Sequence, residues 1–139
     1  MNLITTDEIA IRMYQILQES EVKNFITGEI DWVRNDYTKE DVVIVPHYTQ
    51  GELQSRRLGV IKVNIHVPDL SELVGNDKRY IVNLKRLIEI RQKVVNATKD
   101  VNLGEGWCWN IETFNPAIKE PNFNEHFFSL DYEVIILKK

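Results

Sequence analysis

The stretch VIKVNIHV, residues 60–67, alternates apolar and polar side chains without interruption. Alternation with a period of two is typical of a β-strand that buries one face. The apolar side chains are expected to face the core and the polar ones to face away from it: Ile61, Val63, Ile65 and Val67 against Lys62, Asn64 and His66. This strand decides the fold class, because the rest of the chain must supply its partners.

A second strand is predicted at residues 41–45, where a nearly all-apolar run favours a central strand buried on both faces. Pro46 is expected to end it, since proline cannot donate to a strand ladder. The polar residues 46–57 would then form the protruding tip of an antiparallel hairpin. Loops of this kind often bind partners. The tip is therefore the predicted assembly interface, with Gln50, Glu52, Gln54, Arg56 and Arg57.

The N-terminal part of the chain predicts a helix followed by a strand. Thr5 and Glu8 have the spacing of a capping box, which indicates a short amphipathic helix over about 6–20. Residues 25–33 alternate in the manner of a strand, with Gly28 as a bulge or a point of close backbone approach.

A longer helix is predicted in the second half of the chain. Asn76 or Asp77 is expected to cap it, and it should end near Lys99. The residues expected to face the sheet recur at helical spacing and are mostly apolar: Tyr80, Leu84, Leu87, Ile88, Arg91, Val94 and Val95.

Two final strands are predicted over residues 107–113 and 127–137, joined by a long connection at about 114–126. The element order is then α-β-β-β-α-β-β. This order predicts a single α+β domain over 1–139, with a mainly antiparallel five-stranded sheet and two helices packed on one of its faces.

Composition excludes several classes of protein. Cys108 is the one cysteine among 139 residues, so an internal disulfide cannot form. The longest purely apolar runs are four residues long, far too short to span a membrane. The N-terminus has no basic segment followed by an apolar one, so we expect no secretory signal, and synthesis in a reducing cytoplasm.

Charge is uneven along the chain, whose net charge is −4. Residues 1–55 carry −6, residues 56–76 carry +1, residues 77–99 carry +5 and residues 100–139 carry −4. One interpretation is a solvated basic helix on an acidic protein. The other is a subunit with a basic and an acidic face that stacks head to tail on its own copies. Specific binding of nucleic acid is disfavoured, because the net charge is negative and the bases lie within one predicted helix.

The sequence carries no strong catalytic motif. It has no phosphate-binding loop, dinucleotide fingerprint, nucleophile elbow or paired-histidine zinc motif. Catalysis or metal binding by His47, His66 or His126 would need two of them to converge with a carboxylate; surface or hydrogen-bonded histidines are the alternative. Cys108 is expected to be a small buried apolar residue. No cofactor and no metal is expected, and the tryptophans are expected in the core: Trp32, Trp107 and Trp109.

Several stretches together resemble the tail-completion, or tail-terminator, class of small proteins from long-tailed phages and from prophages in Bacteroides-like bacteria. They are the first helix, FITGEI (25–30) followed by Arg34, KEDVVI (39–44), GVIKVNIHVPDL (59–70), and the long helix with the closing strand pair.

The resemblance implies a structural, non-enzymatic subunit that forms a ring, usually a hexamer, at the head-proximal end of the tail tube. Such a ring stops polymerisation of the tube and presents a surface to the head. The expected partners are therefore copies of the chain itself, the tail tube protein and the head–tail connector, and the expected location is the tail of the virion. Two alternatives stay open: another head–tail adaptor or oligomeric interaction module, and a small ligand-binding or enzymatic domain that uses His66 and His126.

Overall fold

The computed structural model describes residues 5–47, 57–99, 101 and 106–136. Within these ranges the chain forms α1 (Thr6–Gln18), α2 (Val22–Phe25), β1 (Ile30–Asp31), β2 (Asp41–His47), β3 (Arg57–Pro68), β4 (Leu70–Val74), β5 (Asp77–Ile81), α3 (Leu84–Thr98), β6 (Trp107–Phe114), β7 (Ile118–Lys119) and β8 (Glu125–Ile136). The fold is α+β, which confirms the predicted class.

The main sheet is mixed. Its strands lie in the order β1-β2-β3-β8-β6, with β7 paired to β8 beside them, and β1 runs parallel to β2. The predicted five-stranded, mainly antiparallel sheet in the order α-β-β-β-α-β-β is therefore wrong in the number and order of its strands. The difference comes from strands that were not predicted: β7, whose two residues are too few to show an alternating pattern, and β4 and β5, which pair with each other in a separate two-stranded sheet.

The hairpin of β2 and β3 is confirmed, with Val42 opposite Ile65. Pro46 does not end β2, however, and pairs in register with Ile61. β1 reaches only as far as Val43, so β2 is the edge of the described sheet at Pro46. Proline is tolerated on an edge, because the missing N–H removes no bond to a further strand.

The strand predicted at 25–33 is reduced to β1, and the residues before it are held by separate hydrogen bonds to Glu40 and Asp41 rather than by a ladder. The Gly28 N–H donates to the carbonyl of Glu40 at 2.8 Å, and the Glu29 N–H donates to Asp41 Oδ1 at 2.7 Å. A Cβ at Gly28 would collide with both acceptors. Glycine is therefore required where this segment lies on Glu40 and Asp41.

The core lies between one face of the main sheet and the helices α1 and α3. Trp107 and Trp109 are buried there, as predicted. At its centre the hydroxyl groups of Tyr132 and Thr98 are 2.7 Å apart, and the indole N–H of Trp109 donates to the Thr98 carbonyl at 3.0 Å. The apolar face of β3 is fully buried, which confirms the alternation of Ile61, Val63, Ile65 and Val67.

The prediction that Asn76 or Asp77 caps the long helix is wrong. Gly75 and Asn76 instead form a two-residue turn between β4 and β5, and Gly75 has a φ of 65°, a conformation that glycine adopts without strain. The helix α3 begins later, where the side chain of Asn83 caps it. We call the hairpin of residues 70–81 the arm.

Candidate functional site

Four ionisable side chains meet at the end of the main sheet where β2 and β8 begin: Arg34, Asp41, His66 and Glu125, here called the Arg34 cluster. Arg34 lies between the two carboxylates, donating from Nε to Glu125 Oε2 at 3.0 Å and from Nη1 to Asp41 Oδ2. Both carboxylates are fully buried and the guanidinium is nearly so. The cluster joins the start of β2 to the start of β8 through the segment that follows β1.

Asp41 organises the backbone around it. Its Oδ2 accepts N–H groups from Asn35 at 3.0 Å and from Asp36 at 3.2 Å, in addition to Arg34. Burial raises the pKa of Asp41, but the N–H of Glu29, the Arg34 guanidinium and the other backbone donors outweigh it and leave the pKa below its ordinary value. Asp41 is therefore ionised at neutral pH.

Glu125 is held in the same way. Burial raises its pKa, and the hydrogen bonds from His66 and Arg34 lower it to a net value below the ordinary one. His66 Nδ1 lies 3.3 Å from Glu125 Oε1, and its ring stacks on Phe127 with centroids 5.0 Å apart. His66 was expected on an outward polar face, but it is buried because Glu125 and Phe127 cover it.

The Arg34 cluster is suited to holding structure rather than to carrying out a reaction. Each carboxylate oxygen of Asp41 and Glu125 already accepts at least one hydrogen bond from the protein. These hydrogen bonds hold both carboxylates in place between β2, β8 and the segment that follows β1. In the part of the chain that the structure describes, no group of three or more His, Cys, Asp or Glu side chains could hold a metal ion.

A second buried pair lies at the base of the arm. His126 Nδ1 is 2.6 Å from Asp69 Oδ1, and the Asp69 N–H donates to the carbonyl of Asn124 at 2.9 Å. In the strand register His126 lies opposite Val67, while His66 lies opposite Phe127. Successive residues of a strand point to opposite faces, so His66 and His126 leave the sheet on opposite sides and do not converge.

The arm exposes every residue of its two strands. Leu73 is the most exposed of its large apolar side chains at 75%, and Leu70, Val74, Tyr80 and Ile81 are each more than 40% exposed. A two-stranded hairpin is at best marginally stable alone in water. An arm with apolar side chains on both faces is typical of an element that packs against a partner.

A second apolar surface lies beside β1. Trp32, which the sequence analysis placed in the core, is 38% exposed, and its ring stacks on Tyr14 of α1 with centroids 5.3 Å apart. Ile11 and Val33 are 50% and 62% exposed. We call Ile11, Tyr14, Trp32 and Val33 the Trp32 patch.

The residues of the predicted assembly interface are mostly beyond what the structure describes. Gln50, Glu52, Gln54 and Arg56 lie outside the described residues, and Arg57 is described only as the first backbone position of β3. The role of the 46–57 tip therefore stays a prediction. Cys108 is half-buried with a free thiol, rather than buried as expected.

Sequence reasoning missed both the Arg34 cluster and the arm. Asp41 and Glu125 are flanked by strand residues and separated by more than eighty positions, so the sequence gives no sign that one arginine joins them. The arm did leave a signal: Gly75-Asn76 is a dipeptide typical of the two-residue turn of a hairpin.

None of the helices in the described ranges is long and apolar enough to cross a membrane. Comparisons of the sequence with models of known protein families and with curated proteins yield no match.

Proposed function

We propose that this chain is a structural subunit of a phage or prophage tail, of the tail-terminator type. In this role it assembles into a ring at the head-proximal end of the tail tube, where it contacts the tube protein below and the head–tail connector above. The protein works through its surfaces and is not an enzyme. Its place is the tail of the finished virion.

The observation that carries the proposal is the arm. All residues of its two strands are exposed in the single chain, and five of them are large apolar side chains. A partner that covers these side chains would stabilise the arm. A subunit of a ring has such partners on both sides, because each copy contacts the next through a different surface.

The Asp69–His126 pair supports the same function. Asp69 lies one residue before β4 and is fixed both by His126 and by the backbone of Asn124. Rigid anchoring at the base keeps an arm in one orientation. This reduces the entropy that is lost when the arm binds its partner.

The test is loss of the gene in the phage or lysogen that carries it, followed by negative-stain electron microscopy of the induced particles. Tails of irregular, excessive length without heads are expected, and a plasmid copy of the gene should restore normal virions. Tails of normal length detached from heads would assign the chain to another head–tail adaptor instead. Normal virions without the gene, or the absence of tailed particles from the wild type, would overturn the proposal.

A further inference from the structure

The two faces of the arm differ in charge. The strand register places Ser71 opposite Tyr80 and Leu73 opposite Lys78, so these four side chains share one face. The other face carries Glu72 opposite Arg79, and these two form a salt bridge of 2.7 Å. The first face therefore presents two large apolar side chains and one cation. The second face also presents apolar side chains, from Leu70, Val74 and Ile81, but it carries Asp77 beside the Glu72–Arg79 pair, so only the first face is net positive.

The cation of that first face is held over an aromatic ring. Lys78 Nζ lies 5.5 Å from the centre of the Tyr80 ring. This places the ammonium group beside the apolar surface of Tyr80 and Leu73 rather than away from it. A partner for this face must therefore supply an apolar surface with negative charge next to it.

The Trp32 patch has those properties. Asp7 lies four residues before Ile11 in α1, on the same side of the helix, and is exposed. Asp31 directly precedes Trp32, and its side chain is held at the surface by the Trp32 N–H at 2.7 Å and by the side-chain amide of Asn35 at 2.8 Å. Two carboxylates thus lie beside the patch against one exposed base, Arg12, within the acidic first part of the chain.

Other exposed apolar side chains have bases beside them. Ile88 on α3 has Lys85 and Arg91 one turn away on either side, and the Arg91 guanidinium lies 5.7 Å from the centre of the Phe114 ring. Lys78 would meet like charge on either of these surfaces. Charge therefore selects the Trp32 patch as the complement of the arm.

We infer that the arm face carrying Leu73, Lys78 and Tyr80 packs against the Trp32 patch of a second copy of this chain. The inference rests on the proposed function, because it names the contact that would join neighbouring subunits of the ring. Both surfaces are exposed in the same chain, so a single copy does not cover one with the other. The contact joins two different surfaces, and its repetition closes a ring when the rotation per subunit allows.

Disulfide trapping tests the contact directly. In a Cys108→Ser background, Leu73→Cys and Val33→Cys are made as separate full-length proteins, then mixed and oxidised mildly. A covalent dimer is expected in the mixture and not in either variant alone, because a cysteine on the arm would meet one only on the patch. The same pair is co-produced in the gene-deleted host, and the tails it yields are oxidised in the same way.

A charge variant provides the second readout. Lys78→Glu should weaken self-association about tenfold, which corresponds to about 1.4 kcal/mol, and should reduce restoration of virions in the gene-deleted host. Lys85→Glu makes the same charge change on α3, away from the proposed contact, and should restore virions as the wild type does. Circular dichroism of both variants confirms that each is folded.

The outcomes separate the inference from the proposed function. Restored virions from Lys78→Glu, with no mixed dimer in solution or in tails, would overturn the contact and leave the tail role standing. A mixed dimer in solution, with virions unaffected by loss of the gene, would support the contact and overturn the tail role. Dimers formed by either variant alone would overturn the proposed pairing of two different surfaces.

Discussion

Arg34 is the residue on which the buried charges depend. It donates hydrogen bonds to both Asp41 and Glu125, and the side chains of these acids have no exposure to water. Removal of one partner from a buried ion pair leaves uncompensated charge, which costs about 3–5 kcal/mol. The destabilisation expected on removing Arg34 therefore comes mainly from the two carboxylates left buried without a counter-charge, and less from the attraction that is lost.

The first prediction is that Arg34→Met lowers the free energy of unfolding by about 3–5 kcal/mol. The measurement is urea denaturation at pH 7 followed by circular dichroism. Arg12→Met is the matched control, because Arg12 is exposed on α1 and its loss should change stability by less than about 0.5 kcal/mol. Equal stability of the two variants would show that the Arg34 cluster does not hold the fold.

The second prediction concerns acid. The folded-state pKa values of Asp41 and Glu125 lie below the ordinary values of 3.8 and 4.5. Their contribution to stability is therefore fully present above those ordinary values and is lost as pH falls through the lowered ones, since the unfolded chain takes up protons first. The urea midpoint should therefore fall as pH drops from about 5 through those ordinary values, and the fall should be shallower in Asp41→Asn. An identical pH profile in the variant would contradict the lowered pKa of Asp41.

At the scale of elements, the sequence predicted the helices and strands that are long and have a regular pattern of apolar residues. The β2–β3 hairpin and α1 follow from alternation and from a capping box, and both are confirmed. The helix α3 was predicted to start too early, because Tyr80 happens to continue the spacing of Leu84 and Leu87. The structure shows a break at Asn83, whose side chain caps α3 and leaves Tyr80 in the arm.

The segment before β2 shows why local pattern was insufficient there. The alternation of residues 25–33 favours a strand. In the structure, however, the Glu40 carboxylate accepts hydrogen bonds from the Thr27 N–H at 3.1 Å and from the Arg86 guanidinium at 2.5 Å. Such side-chain contacts join residues from distant parts of the chain. No window of neighbouring residues contains them, so local alternation predicted a strand over 25–33, whereas the structure has the end of α2, bends at 26–28 and the short strand β1.

The third prediction tests the packing of α3. Leu87→Ala should lower the free energy of unfolding by about 2–5 kcal/mol, because Leu87 is fully buried against the sheet. Ile88→Ala is its control, one position along the same helix and 48% exposed, and should cost less than about half as much. Thermal melts compare the two; a larger loss from Ile88→Ala would place the wrong face of α3 in the core.

The fourth prediction separates the arm from the folded body. Replacement of residues 70–81 by a short glycine–serine linker should leave the melting temperature nearly unchanged, because the strand residues it removes are all exposed. Leu70 and Ile81 are directly paired, so a few residues suffice to close the gap. The same variant should fail to restore virions in the gene-deleted host. A strong loss of stability would show that the arm belongs to the core instead.

At the scale of the whole molecule, charge is divided between surfaces. The basic stretch over residues 77–99 is not one helix, as the sequence suggested, but is shared between β5 of the arm and α3. The acidic first part of the chain contributes α1 and the segment around β1. The arm as a whole is neutral, with Glu72 and Asp77 balancing Lys78 and Arg79, and only its Lys78 face is basic. That face and the acidic surface around α1 and β1 provide the two unlike surfaces that head-to-tail stacking requires.

The fifth prediction is that contact between copies weakens with salt. Exposed charges separated by more than about 10 Å are screened at 0.1 M ionic strength, so attraction between Lys78 and the acids of the Trp32 patch should decline as sodium chloride rises. Sedimentation velocity measures the association constant across a salt series. Lys78→Glu should flatten the dependence, and Asp7→Lys in the same chain should restore part of the affinity, because the two reversed charges again attract. Association that strengthens with salt, with no recovery of affinity in the double variant, would contradict this prediction. Apolar packing alone would then join the copies, and charge would not determine which surfaces meet.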